Sequence, residues 1–195
     1  MKKLINISLV PTLYEKYKNQ FEFSIDVKWL NFIKNSFGRF NLELFDKSKK
    51  TDLIILGGGN DLKSFSKKKE DLIRHNYNLS ALKYAIKNKT PIIGICLGAM
   101  FISAYFGSRI IKSTNHRKKH KVYFFKKKKV MTVNSYHNYI IKDLSIDLKS
   151  ICYAKDNSIE LYKHKNLKVY GMMWHPERNS KINRFYKKFF KDICN

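Results

Sequence analysis

The stretch Pro91-Ile92-Ile93-Gly94-Ile95-Cys96-Leu97-Gly98-Ala99-Met100 governs the reading of this chain. A short apolar run ends in Gly-x-Cys-x-Gly, and an apolar, helix-like segment follows at once. That is the sequence form of a nucleophile elbow, in which a strand delivers one residue into a sharp turn and a helix carries the chain away. The flanking glycines let neighbouring backbone pass close by. A cysteine in such a turn sits at a helix N-terminus, where unpaired N–H groups and the helix dipole favour a thiolate. A buried structural cysteine in a parallel strand gives the same five residues, so the motif alone leaves both readings open.

Outward from that stretch, apolar runs predict strands at Leu4–Val10, Leu53–Leu56, Pro91–Ile95, Val122–Phe125, Val130–Asn134 and Val169–Trp174. Helical spacing appears over Ile25–Phe37 (Val27, Leu30, Ile33, Phe37), Leu79–Lys87, Met100–Phe106 and Ile182–Ile193. Strands alternating with helices predict an α/β fold with a parallel sheet. Lys126–Lys129 separates two of the strands, which predicts an antiparallel hairpin with a basic tip. No Gly/Ser/Pro-rich linker divides the chain and no internal repeat is visible, so 195 residues read as one domain.

A cysteine nucleophile needs a base, and the base needs an orienting group. Gly171-Met172-Met173-Trp174-His175-Pro176-Glu177 supplies both types at the end of an apolar strand. In extended backbone, residues two apart point the same way, so Glu177 is expected beside the His175 imidazole, fixing its tautomer. A third segment, Ile54-Ile55-Leu56-Gly57-Gly58-Gly59-Asn60-Asp61, also follows a strand. It is expected at the same sheet edge as the elbow, with backbone N–H groups free to face a developing oxyanion. The Leu97 N–H, just after the cysteine, is the expected second donor. A phosphate-cradling loop would end in Gly-Lys-Ser/Thr, which this segment lacks.

These three segments, in this order, resemble the class I (triad-type) glutamine amidotransferases. Val133-Asn134-Ser135-Tyr136-His137 and Ala154-Lys155-Asp156-Asn157-Ser158-Ile159-Glu160 look like segments of that family's stand-alone γ-glutamyl hydrolase branch. The resemblance spans residues 1–195. It implies a single flavodoxin-like three-layer domain, with a mostly parallel central sheet and a small antiparallel hairpin. It implies Cys96 as nucleophile, His175 as base and Glu177 as orienter. Gly58 or Gly59 and Leu97 would form the oxyanion hole, and Met100, Asn134, Ser135, Tyr136 and His137 would contact substrate. Met100 and Met173 stand where family members commonly carry Gln, and Asn157 where Gly is usual.

The implied reaction is transfer of a γ-glutamyl acyl group to Cys96 and then to water, releasing glutamate without a cofactor or metal. His116 and His120 lie four apart among Arg117, Lys118, Lys119 and Lys121, and they read as solvated loop residues rather than metal ligands. The substrate is expected to be a small γ-glutamyl compound with an anionic leaving group such as a nucleotide, of the kind used in capsular polysaccharide modification. The alternatives are another conjugate, such as γ-glutamyl-aminobutyrate, or glutamine, whose ammonia would feed a separate synthase partner.

The net charge of +25 admits two causes. One is a polyanionic partner. The other is a Lys-, Asn- and Ile-rich composition that decorates any surface. Only six of the forty basic residues are Arg, the residue selected for bidentate phosphate contacts, which favours composition. A nucleic-acid-binding module lacks support, because no groove-reading motif or aromatic–basic stacking pattern is present. Three widely spaced cysteines give neither a disulfide framework nor a Cys-x-x-Cys metal site, and a reducing cytoplasm is the expected setting. No run is long and apolar enough to predict a membrane span.

Overall fold

The computed structural model describes residues 4–113, 115–125, 129–179 and 183–194. The first half runs β1 (Ile5–Val10), β2 (Thr12–Tyr17), β3 (Gln20–Ser24), α1 (Lys28–Phe37), β4 (Phe40–Leu44), β5 (Leu53–Leu56), α2 (Lys69–Asn88), β6 (Ile92–Ile95) and α3 (Leu97–Tyr105). The second half runs β7 (Arg109–Lys112), β8 (His120–Phe124), β9 (Val130–Val133), β10 (Tyr139–Asp143), β11 (Leu148–Ala154), β12 (Ile159–His164), β13 (Val169–Met172), a 3-10 turn (Pro176–Arg178) and α4 (Arg184–Cys194).

Eleven strands form one sheet in the order β4-β1-β5-β6-β13-β12-β11-β8-β9, with β10 joined to β12 and β7. Neighbours from β4 to β13 are parallel. From β13 outward they are antiparallel. The pair β8–β9 is the expected hairpin, and the tip at residues 126–128 lies outside the described residues. β2 and β3 form a separate hairpin that sequence periodicity did not signal.

The central strands β5 and β6 are apolar throughout because both faces are covered, whereas β1 carries Asn6 and Ser8 and the edge strand β4 carries Asn41 and Glu43. Alternate side chains leave the sheet in opposite directions. Leu53 and Ile55 join a core with Trp29, Phe32 and Ile33 of α1 and Tyr186 and Phe190 of α4. Ile54 and Leu56 join a second core with Ala81, Leu82 and Ala85 of α2 and Leu97 and Ile102 of α3. This is the three-layer α/β arrangement.

Two expectations are corrected. The helix read at Leu79–Lys87 begins ten residues earlier, at Lys69. Its inward face carries Asp71, Arg74 and Asn78 ahead of Ala81, Leu82 and Ala85, so the apolar stripe is interrupted by buried polar residues. The strand read to Trp174 ends at Met172, and Pro176–Arg178 forms a 3-10 turn instead of extended backbone. Asn157 has φ 64°, the left-handed conformation that suits Asn in place of Gly.

Candidate active site

β5, β6 and β13 are consecutive neighbours in the parallel half of the sheet. Their C-terminal ends therefore deliver Gly57–Gly59, Cys96 and His175 to one edge, the usual ligand edge of an open α/β sheet. Cys96 follows β6 directly and caps α3 with φ 52° and ψ −105°. That backbone is strained for a residue with a side chain and matches the sharp turn of an elbow. The turn closes because Gly94 and Gly98 pack together. A Cβ on Gly94 would stand 2.2 Å from the Gly98 carbonyl carbon, and one on Gly98 would stand 2.2 Å from the Leu56 carbonyl oxygen.

His175 is buried, and its Nδ1 lies 2.6 Å from Glu177 Oε1. The 3-10 turn, rather than strand geometry, folds the carboxylate back onto the imidazole. Burial alone would lower the His175 pKa, but hydrogen bonds and charge from Cys96 and Glu177 outweigh it and raise the pKa to about 9. The carboxylate on Nδ1 leaves Nε2 as the nitrogen toward Cys96. A Cβ on Gly58 would lie 2.5 Å from His175 Cε1 and 3.4 Å from Cys96 Cβ, so both side chains meet over that glycine.

The glycine turn is held from behind. Arg74 is buried, and its Nη2 donates to the Val10 and Gly57 carbonyls at 2.7 and 2.9 Å. Burial lowers its pKa to about 9. Thr12 Oγ1 donates to the Gly58 carbonyl at 3.0 Å. With those carbonyls turned away, the trans peptides aim the Gly58 and Gly59 N–H groups in the opposite direction. Among the described residues neither N–H donates to a protein acceptor. No sequence pattern distinguishes Arg74 from the surrounding basic residues, and its role becomes visible only in the fold.

A cavity of about 190 Å³ opens here, lined by Gly59, Cys96, Leu97, Met100, Tyr136, His175 and Arg178 among others. His137 also borders it. Asn134 takes a different position. Its amide donates to the His175 carbonyl at 2.8 Å, and its Oδ1 accepts from the His175 N–H at 2.9 Å, so it clamps the backbone of the expected base. The Ser135 hydroxyl donates to the His116 carbonyl. Tyr136 is half-exposed, with its ring 5.6 Å from the His175 ring and the Arg178 guanidinium 4.9 Å from its centre. Arg178 Nε also stands 3.8 Å from Glu177 and 3.9 Å from Asp26.

Of the three cysteines, Cys96 alone faces the cavity. Burial pushes the Cys152 thiol up and keeps it protonated. The expectation that His116 and His120 are solvated is overturned. His116 is 4% exposed and His120 is partly buried, and both face the buried Glu160 carboxylate of β12. The two imidazoles turn inward toward Glu160, while Arg117, Lys118 and Lys119 remain exposed.

A family model for class I glutamine amidotransferases matches residues 15–193. The chain belongs to that family, and it is an enzyme acting on a γ-glutamyl amide bond. A γ-glutamyl-CDP-amidate hydrolase of Campylobacter jejuni is 43% identical over 146 residues, covering 72% of this chain and 70% of that protein. The glutamine-hydrolyzing GMP synthase subunit of Methanococcus aeolicus is 26% identical over 157 residues, covering 76% of each. Among solved structures, a glutamine amidotransferase of Thermotoga maritima has a TM-score of 0.64 at 14% identity, covering 96% of this chain and 82% of that one. Its likeness bears on the fold alone. Among the described residues no helix is long and apolar enough to cross a membrane.

Proposed function

We propose that the protein hydrolyses a γ-glutamyl amide through a thioester on Cys96 and releases glutamate. The observation that carries this reading is the line Cys96–His175–Glu177 beside Gly58, at the end of three adjacent parallel strands. The Cys96 sulfur attacks the γ-carbonyl carbon, and the negative charge on its oxygen is met by N–H groups of Gly58 or Gly59 and Leu97. The carbon–nitrogen bond then breaks, and the amine departs with a proton from His175 Nε2. Water attacks the thioester and gives its proton back to His175 as the C–S bond breaks. Glu177 keeps Nδ1 protonated and stabilises the imidazolium throughout.

The substrate is an anionic nucleotide conjugate such as γ-glutamyl-CDP-amidate, used in capsular polysaccharide modification, and the group that leaves is its nucleotide amidate. The name of the Campylobacter relative supports this, and so does the rim of the cavity. Tyr136 and Arg178 form an exposed aromatic–guanidinium pair that can stack a base and meet a phosphate. The second reading is a glutaminase feeding a synthase, favoured by the likeness to the glutamine-hydrolyzing part of GMP synthase.

A panel of γ-glutamyl conjugates against glutamine, followed by glutamate release, separates the two. Faster cleavage of the cytidine diphosphate conjugate, by about 100-fold or more in kcat/KM, is expected from leaving-group contacts worth a few kcal/mol. Equal rates would remove the nucleotide reading. No glutamate from any conjugate would remove the hydrolase reading.

A further inference from the structure

The strands next to the catalytic edge bury a second group of titratable side chains that the proposed mechanism does not use. His116 precedes β8, His120 opens it, His137 follows β9 and Glu160 lies in β12. His116 Nδ1, His120 Nε2 and His137 Nε2 stand 3.2, 3.3 and 3.8 Å from Glu160 Oε1. Despite these separations, none of the three nitrogens and neither Glu160 oxygen makes an aligned hydrogen bond among the described residues. The Glu160 side chain is only 1% exposed.

The opposite nitrogen of each imidazole explains the missing bonds. His116 Nε2 meets Asp156 Oδ2 at 2.9 Å, His120 Nδ1 meets the Lys118 carbonyl at 3.2 Å and His137 Nδ1 meets the Tyr139 carbonyl at 2.8 Å. A carbonyl or carboxylate only accepts, so each of these outer nitrogens carries the hydrogen. The three inner nitrogens then present lone pairs, and they present them to a carboxylate. With the imidazoles neutral, four acceptors converging in a buried space repel one another unless a cation, whether protons on the rings or a metal ion, lies between them.

We infer that His116, His120, His137 and Glu160 form a binding site for one divalent transition metal, with zinc the best match. Three imidazoles and a carboxylate suit zinc by ligand type and number. Tetrahedral zinc with bonds of about 2.0 to 2.1 Å sets its ligands about 3.3 Å apart, which is the spacing of two of the three nitrogens from Glu160 Oε1. Ligand atoms, one each from His116, His137 and Glu160, lie within 4.8 Å of one another, and His120 Nε2 stands 3.3 Å from Glu160 Oε1. The outer partners are the acceptors that orient metal-binding imidazoles and fix their tautomers. The lysines of the His116–His120 loop point to water, where salt screens them. Four protein ligands leave no open position, which makes the site structural rather than catalytic. It ties the basic loop and β12 to the segment Asn134–His137, whose Asn134 clamps His175.

The test uses the full-length protein. Purified from zinc-supplemented medium, it is expected to hold about one zinc per chain by elemental analysis. Stripping with a chelator lowers its melting temperature, and added Zn2+ restores it. Reconstitution with Co2+ gives the visible band of a tetrahedral site without a thiolate charge-transfer band, which separates this site from one at Cys96. His120→Ala, at the most exposed ligand, loses at least the 10- to 100-fold in affinity that changes outside the ligand set typically cost. Wild-type protein that holds no metal and does not respond to Zn2+, a thiolate band with Co2+, or undiminished affinity in His120→Ala overturns the inference. The wild-type spectrum decides the matter even if the variant fails to fold.

Discussion

Two buried histidine–carboxylate groups sit on neighbouring stretches of one sheet and are built in opposite ways. In the parallel half, Glu177 meets one nitrogen of one imidazole at 2.6 Å. That bond is short and aligned, and the other nitrogen is left for Cys96. In the antiparallel half, Glu160 faces three imidazole nitrogens at 3.2 to 3.8 Å with no aligned bond to any. The first arrangement has one position for a proton and a thiol to exchange it with. The second has three imidazole nitrogens converging on one carboxylate. The same residue types therefore serve proton transfer in one place and cation binding in the other, and what the inner nitrogen faces decides which: a thiol for His175, a shared carboxylate for the other three. Asn134 and His137 lie three residues apart and join the two groups.

If the two centres are chemically separate, Cys96→Ala should affect only one of them. Glutamate release is expected to fall by about 10⁴-fold or more, the scale seen when a residue acting as part of a catalytic unit is removed. Metal content should be unchanged. Residual turnover within tenfold of wild type would remove Cys96 from the mechanism, and loss of metal would merge the two sites.

Gly58→Ala probes the catalytic side by geometry alone. The new methyl would stand 2.5 Å from His175 Cε1, and the imidazole must yield. A displacement of that size is expected to lower kcat by about 100-fold. Tm and the cobalt spectrum should stay near wild type, because the second centre is untouched. An unchanged kcat would mean that His175 does not work from the position described.

The contrast between the two groups also explains what was legible in the sequence. Gly94-x-Cys96-x-Gly98, the glycine turn after Leu56 and His175-Pro176-Glu177 were readable because each follows an apolar strand and local spacing carries its chemistry. Most of the parallel half was readable for the same reason, since strands covered on both faces form continuous apolar runs, but the edge strand β4, with Asn41 and Glu43, gives no such run. The antiparallel half was mostly hidden. β11 and β12 mix lysines with apolar residues, and no periodic run marks them. The ligand set is assembled from three separate stretches, so no local pattern encloses it. Two of its histidines are surrounded by Arg117, Lys118, Lys119 and Lys121, which made them look solvated until the fold placed Glu160 opposite. Arg74 and the clamping role of Asn134, expected only as a substrate contact, were obscure for a related reason: their partners include backbone groups 64 and 41 residues away.

A pH experiment sharpens the difference in protonation. His175 is raised from 6.5 to about 9 in the folded protein. A raised pKa contributes stability that is fully present below about pH 6.5 and is lost as pH rises through about 9. Part of the rise comes from Cys96, so Cys96→Ala should lower the His175 midpoint and move the end of that window toward neutral pH. Imidazole resonances followed by NMR report the midpoint, and urea melts across the window report the stability. An identical midpoint in both proteins would show that Glu177 alone holds the proton.

The smallest expected effect tests the rim of the cavity. Arg178 stacks on Tyr136 with its guanidinium 4.9 Å from the ring centre, and it is about one-third exposed. An exposed cation–π contact is worth about 0.5 to 1 kcal/mol, and a phosphate contact adds to that in the bound state. Arg178→Ala should therefore raise KM for the nucleotide conjugate by about three- to tenfold, with KM for glutamine moving less. Arg178 also lies 3.8 Å from Glu177, so the variant separates two roles. A change confined to KM for the conjugate assigns Arg178 to the leaving group. An equal fall in kcat for both substrates would assign it to Glu177 and the proton-transfer pair, and the rim would lose its part in selecting a nucleotide.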